Sequence, residues 1–172
     1  MRWVLMVRAG DTRTSAEVAV TLTCPFTWFF PDPPSDCPAG AAEAGAMAVQ
    51  RFERGWMVWS ERRGTVDVLF DEGGRWSAYS DAWAAPTPES DPSLIPPAGR
   101  RQPVRGFGRV WRDEPGVRDG LGWATAPEVG IAEGRYQCDT NPQPVCYVPG
   151  LDGAVFALQR GTWWTWEGLP SP

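Results

Sequence analysis

The chain has no lysine and no histidine, and its only asparagine is Asn141. The missing histidine removes the commonest general base and metal ligand. With neither His nor Lys, Ser-His-acid, Cys-His and Schiff-base chemistry cannot be assembled from this chain. All 16 positive charges are arginine, and the net charge is −5. That balance argues against nucleic acid, where affinity rests on neutralising phosphates. No apolar run approaches the ~20 residues of a membrane span. The only apolar block near the start is Trp3 to Val7, short of the ~7–15 residues of a signal-peptide core. Export is therefore expected to be encoded elsewhere.

What is abundant is aromatic and turn chemistry. The 172 residues include 11 Trp, 19 Gly and 18 Pro. Four cysteines fall as two close couples, Cys24 with Cys37 and Cys138 with Cys146. Zinc would want tighter Cys spacing or His partners, so no metal and no cofactor is expected. Two local disulfides fit better and imply an oxidising compartment, although four cysteines permit three connectivities.

The central stretch runs from Gln50 to Trp83 and reads as strand, turn, strand, turn, strand. Val145 to Trp166 is a fainter copy. Trp59, Gly64, Val66, Leu69 and Phe70 align with Val148, Gly153, Val155, Leu158 and Gln159. Trp76 and Tyr79 align with Trp163 and Trp166 at a spacing two residues shorter. A constant offset whose changes fall in turns is the mark of structural duplication.

Three segments follow. Residues 1–24 alternate with period 2 around GDTRTS and read as a β-hairpin. Residues 25–48 form a Pro-rich disulfide linker, with Trp28, Phe29 and Phe30 inside the first Cys loop. Within it, Ala41 to Ala48 is compatible with a helical turn or an irregular path. Residues 49–172 form the duplicated β module, its two units joined by a Pro-rich excursion over 84–103 and one or two short helices. Val104, Phe107, Val110 and Trp111 fall on one helical face. Pro115 begins a second short turn that Gly120 or Gly122 ends. The fold class is mostly β: two hairpin or meander units and an N-terminal hairpin.

Residues 3–24 resemble the last two strands of an immunoglobulin-like or fibronectin-like domain. An isolated hairpin is marginal in water. The chain is thus expected to begin inside a larger protein, with Met1 internal or misassigned; alternatively, the hairpin packs on the module as its edge. Phe52, Gly55, Met57 and Trp59, a Gly turn at Gly64 and the Val-rich strand after it resemble the LGFP repeat of bacterial cell-envelope proteins. The resemblance spans roughly residues 50–165. LGWATAP, Leu121 to Pro127, is similar to the motif that names the family, with Ala124 where its proline stands. The resemblance implies a non-catalytic module that anchors larger exported proteins to the cell wall, with no active site to transfer.

The candidate ligand-binding residues are Trp56, Trp83, Trp164 and Trp166, since flat indoles stack on sugar C–H faces or anchor a protein partner. Trp59 and Trp76 are expected in the core. Among acids, Asp67 is expected on a solvent face and Asp71 in a turn; Asp67, Asp71 and Asp81 are the carboxylates from which a glycosidase site would be built. Arg51, Arg54, Arg62 and Arg63 read as a solvated mixed-charge surface, and Arg100, Arg101 and Arg105 as a small basic spot. The sequence thus favours an extracellular, non-enzymatic cell-surface module whose partner is cell-wall polysaccharide or a surface protein. A structural or protein-interaction module is the alternative, and a carboxylate-only glycoside hydrolase a distant third. If both disulfides are local, each closes a short loop that contributes about 2–3 kcal/mol; thermal melts of Cys24→Ser/Cys37→Ser and Cys138→Ser/Cys146→Ser are expected to lose about that much each.

Overall fold

Strands form where β-branched and aromatic residues alternate. The structure is a computed structural model and describes residues 2–19 and 23–167. β1 (Arg2–Ala9) and β2 (Thr12–Ala19) pair antiparallel in a two-stranded sheet of their own. Ala9 faces Thr12, so the turn is Gly10 and Asp11 alone, and Thr12 to Ser15 are strand. Val20 and Leu22, expected in the second strand, lie outside the described residues.

Eight further strands close into an antiparallel barrel. β3 (Glu43–Phe52), β4 (Gly55–Ser60), β5 (Thr65–Phe70) and β6 (Arg75–Ser80) form one meander. β7 (Val129–Cys138), β8 (Cys146–Pro149), β9 (Val155–Gln159) and β10 (Thr162–Thr165) form the other. The two meet where β3 pairs β7 and where β6 pairs β10. First strand meets first and last meets last, so the units occupy equivalent places. α1 (Arg105–Asp113) and α2 (Val117–Leu121) lie between them in sequence.

The mostly-β, two-unit architecture is as expected, but each unit has four strands. Gln50–Ser60 is not one strand. It breaks at Glu53 and Arg54 into the end of β3 and all of β4, with Phe52 opposite Gly55. The break is stabilised from outside the hairpin. The Glu53 amide donates to the Trp123 carbonyl and the Arg54 amide to that of Leu121. Residues 43–48, read as linker, are the start of β3, because β7 offers them a partner.

The repeat also needs one shift. β5 and β9 keep the expected correspondence, with Leu69 and Leu158 facing one cluster and Val66 and Val155 facing away. Trp59 and Val148, however, face opposite sides; Val58 is the residue that matches Val148. The connection over 150–154 is one residue longer than that over 61–64, and a one-residue slip flips every side chain.

All eight strands contribute to one interior cluster, from Met47 and Val49 through Val58, Leu69, Trp76 and Ile131 to Val148, Phe156 and Trp163. The outer faces are apolar as well. That of the first meander is covered by Phe107, Val110 and Trp111 of α1 with Val117 and Leu121 of α2. That of the second is covered by Trp28, Phe29 and Phe30. Both disulfides are local, Cys24–Cys37 and Cys138–Cys146. They fit an extracellular or otherwise oxidising environment. Buried Gln137 fastens the first loop, accepting from the Phe29 amide and donating to the Thr27 and Gly40 carbonyls. Buried Asp139 closes the second by accepting from the Asn141 and Val145 amides. No helix among the described residues is long and apolar enough to cross a membrane.

Asp67, expected on a solvent face, is 0 % exposed. It sits where the second unit has Phe156. Arg63, read as surface, turns inward to bond both Asp67 oxygens, at 2.5 and 3.2 Å. The Trp76 indole N–H donates to the same carboxylate at 3.2 Å. The Arg63 guanidinium also lies 4.4 Å over the Tyr136 ring. Burial pushes the Asp67 carboxyl above its ordinary pKa, with Arg63 and Trp76 opposing. The folded state thus holds this proton more tightly than the unfolded chain, and the group's contribution to stability falls as pH rises from the ordinary carboxylate value to the folded one. Arg63→Leu leaves the carboxylate buried without its counter-charge, with only the Trp76 indole N–H as donor. Urea melts at pH 7 are expected to show a loss of about 3–5 kcal/mol, partly recovered as the pH is lowered and Asp67 takes up a proton. Arg63→Leu/Asp67→Val is expected to restore most of the stability at both pH values.

Candidate functional site

The first meander leaves a recess where β4, the residues after β6, and the start of α1 converge. Trp59, Asp81, Trp83, Arg105, Gly106, Phe107 and Glu128 line a pocket of about 240 Å³. That is below the roughly 300–1,000 Å³ of drug-sized sites, and suits one ring or one headgroup.

Asp81 organises the wall. Its carboxylate accepts from the Trp59 indole N–H at 2.7 Å and from the Trp83 amide at 3.1 Å. A Cβ on Gly106 would come within 2.7 Å of the Asp81 carboxylate. Glycine at this position therefore lets the acid approach the first turn of α1, where the helix dipole favours negative charge. The Trp83 indole N–H is held by the Thr87 carbonyl at 3.2 Å. Phe107 is buried and closes the floor.

Glu128 is exposed as a residue and lines the pocket; partial burial raises its carboxyl pKa and the charge of Arg105 opposes the rise. It accepts no hydrogen bond from a described side chain or amide. Arg105 is pulled outward by Glu89 at 2.9 Å. That ion pair is half exposed and contributes little to stability.

No family model, curated protein or solved structure matches the chain. The site is therefore read from its geometry alone.

The structure separates the four tryptophans singled out from sequence. Only Trp83 lies in this pocket. Trp56 belongs to the barrel interior, its ring 5.4 Å from Phe156 and 4.8 Å from the Arg51 guanidinium. It is half-buried, because alternation on β4 points it to the same side as Val58. Trp164 and Trp166 share the outer face of the second meander. Trp164 is 37 % exposed. Trp166 packs edge-on against Tyr147 and donates its indole N–H to the Asp32 carbonyl at 2.9 Å. It pins the disulfide loop. Trp83 follows the far end of β6 from Arg75, the residue that meets β10. At about 3.3 Å per residue, six strand residues separate the two regions by on the order of 20 Å.

Trp76 is interior, as expected. Trp59 is not simply core. Its half-buried ring packs on the helix-side cluster while its N–H holds Asp81. Glu128 had no sequence signal, being one acid in a loop. The three carboxylates of the glycosidase reading do not converge. Asp67 is in the barrel interior, Asp71 pairs with Arg51 at 2.8 Å, and Asp81 is in the pocket. Two of the three arginines of the basic spot are paired, Arg100 with Glu53 at 2.6 Å and Arg105 with Glu89 at 2.9 Å.

The stretch resembling the family-naming motif is structural here. Gly122 has φ +72, and a Cβ there would come within 2.3 Å of the Glu53 carboxylate. Its carbonyl accepts from the Trp111 indole N–H at 2.7 Å. Glu53 in turn accepts from the Trp123 amide at 3.0 Å. This segment joins α2 to the β3–β4 turn.

Removing the carboxylate at Asp81 leaves the Trp59 N–H without its acceptor in a part-buried site. Asp81→Ala is expected to cost about 1–3 kcal/mol in urea melts and to shift the tryptophan emission. Asp81→Asn, which keeps an acceptor oxygen, is expected to cost less than half as much.

Proposed function

We propose that the chain is a non-catalytic, extracellular cell-surface module that binds cell-envelope glycan or anchors a larger protein to it. The observation that supports this reading is the pocket itself: a ring-sized recess with aromatic surface from Trp59, Trp83 and Phe107 beside two carboxylates. Aromatic faces take the C–H face of a sugar, and rim carboxylates accept its hydroxyl hydrogens. The resemblance to LGFP repeats agrees with an envelope role. The disulfides suit a protein that works outside the reducing cytoplasm. Exposed Trp164, on the other meander, offers a second and flatter contact surface.

One observation favours a second reading. Asp81 and Glu128 share the pocket, and partial burial raises the Glu128 pKa while the charge of Arg105 opposes the rise. A glycoside hydrolase needs such an acid beside a second carboxylate.

One experiment separates them. The oxidised protein is incubated with insoluble peptidoglycan and a panel of polysaccharides, and both retention and release of reducing ends are measured. Retention without release, lost in Trp83→Ala and kept in Trp164→Ala, is the expected result. Release of reducing ends that Glu128→Gln abolishes would establish the hydrolase instead. Retention on no polymer would sink both readings and leave a protein-docking or structural module.

A further inference from the structure

The pocket has a chemical polarity that a neutral sugar does not require. Asp81 has no ion-pair partner among the described residues, and the Arg105 charge that reaches Glu128 is shared with Glu89. Asp81 is held by neutral donors, the Trp59 indole and the Trp83 amide, and makes no ion pair with a described residue. Its two oxygens accept one bond each from these groups, so lone pairs remain to receive further donors. Glu128 lines the same pocket and accepts no hydrogen bond from a described donor. The nearby cations are engaged elsewhere. Arg105 is shared with Glu89. Arg109 donates to the Ala82 carbonyl and faces Asp113 at 3.7 Å. Counting Asp81, Glu128, Arg105 and Glu89, the recess and its rim hold three acids against one base.

Around these acids stand three aromatic rings. A cation is attracted both to carboxylates and to the faces of indole rings. A primary ammonium brings three N–H donors to a site rich in unfilled acceptors. An anion would meet two carboxylates, and a neutral acetamide would leave them without a counter-charge. We infer that this pocket accepts the ammonium group of an amino sugar, with Glu128 and Asp81 as its counter-charges and Trp59 and Trp83 against the ring. The inference rests on the glycan-binding reading and names the class of sugar: a residue with a free, not acetylated, amine.

The test uses the full oxidised chain and three probes, followed by calorimetry and tryptophan fluorescence: a glucosamine oligosaccharide, its N-acetylated counterpart, and methylammonium. The expected result is that the free-amine oligosaccharide binds at least about tenfold more tightly than the acetylated one, and that Glu128→Gln removes the preference while thermal melts stay unchanged. Equal binding of the two oligosaccharides would overturn the amine inference and leave the glycan reading standing. Methylammonium binding that needs Glu128, with neither oligosaccharide bound, would keep the ammonium subsite and overturn the glycan reading. Binding of none of the three would overturn both.

Discussion

The structure depends on one constraint, that the β5 and β9 strands of its two meanders are buried on both faces. Val66 to Phe70 are buried without a break, as are Val155 to Leu158. Rolling the sheet into a barrel covers one face of each strand and leaves the other bare. An uncovered outer face would expose more contiguous apolar surface than a soluble domain ordinarily tolerates. The chain meets this with two insertions of different kinds. A helical pair covers the first meander, and a disulfide-closed aromatic loop covers the second. The segments between the strands are thus part of the core. Each is tied down by polar groups, Glu53 and the Gly122 carbonyl on one side and the buried Gln137 and Asp139 on the other.

The pocket is a by-product of that covering. A cylindrical helix laid on a curved sheet leaves a recess at its end. Here the recess falls at the N-terminal turn of α1, where Gly106 has no side chain to fill it and Asp81 can enter. The same acid fixes Trp59, so the aromatic wall and the acidic wall are one hydrogen-bonded unit. The barrel interior deals with its carboxylate in the opposite way. Asp67 is sealed beneath Arg63 and Tyr136, its charge matched inside the protein. Asp81 and Glu128 are left open to whatever enters. The contrast between a buried acid paired with an arginine and two pocket acids without a hydrogen-bonded cation among the described residues is what distinguishes the pocket from the core.

Much of the local structure was legible. The spacing of Phe107, Val110 and Trp111 gave α1 its buried face, and Pro115 and Gly122 marked the limits of α2. The close cysteine couples indicated local bridges. The second unit emerged from a faint match at fixed offset, off by one residue in β8 because a turn lengthened. The candidate site was much less legible. Of four tryptophans chosen for exposure, Trp83 reached the pocket and Trp56 turned into the barrel. Trp59 and Asp81 lie far apart in sequence, and Glu128 sits in an unremarkable loop. Nothing in their local spacing joins them.

The sequence by itself determined which residues alternate, where turns and helices fall, which chemistries the absence of His and Lys removes, and that the protein belongs in an oxidising environment. Only the tertiary structure decided which face of each strand is interior, that β3 and β7 join the two units, and that Asp67 is buried while Asp81 lines a pocket. The reason is physical. Alternation, capping and turn chemistry act within a few residues and are written locally. Barrel closure and the covering of an outer face pair segments some 70 to 110 residues apart, and the fate of a carboxylate depends on what those distant segments place above it.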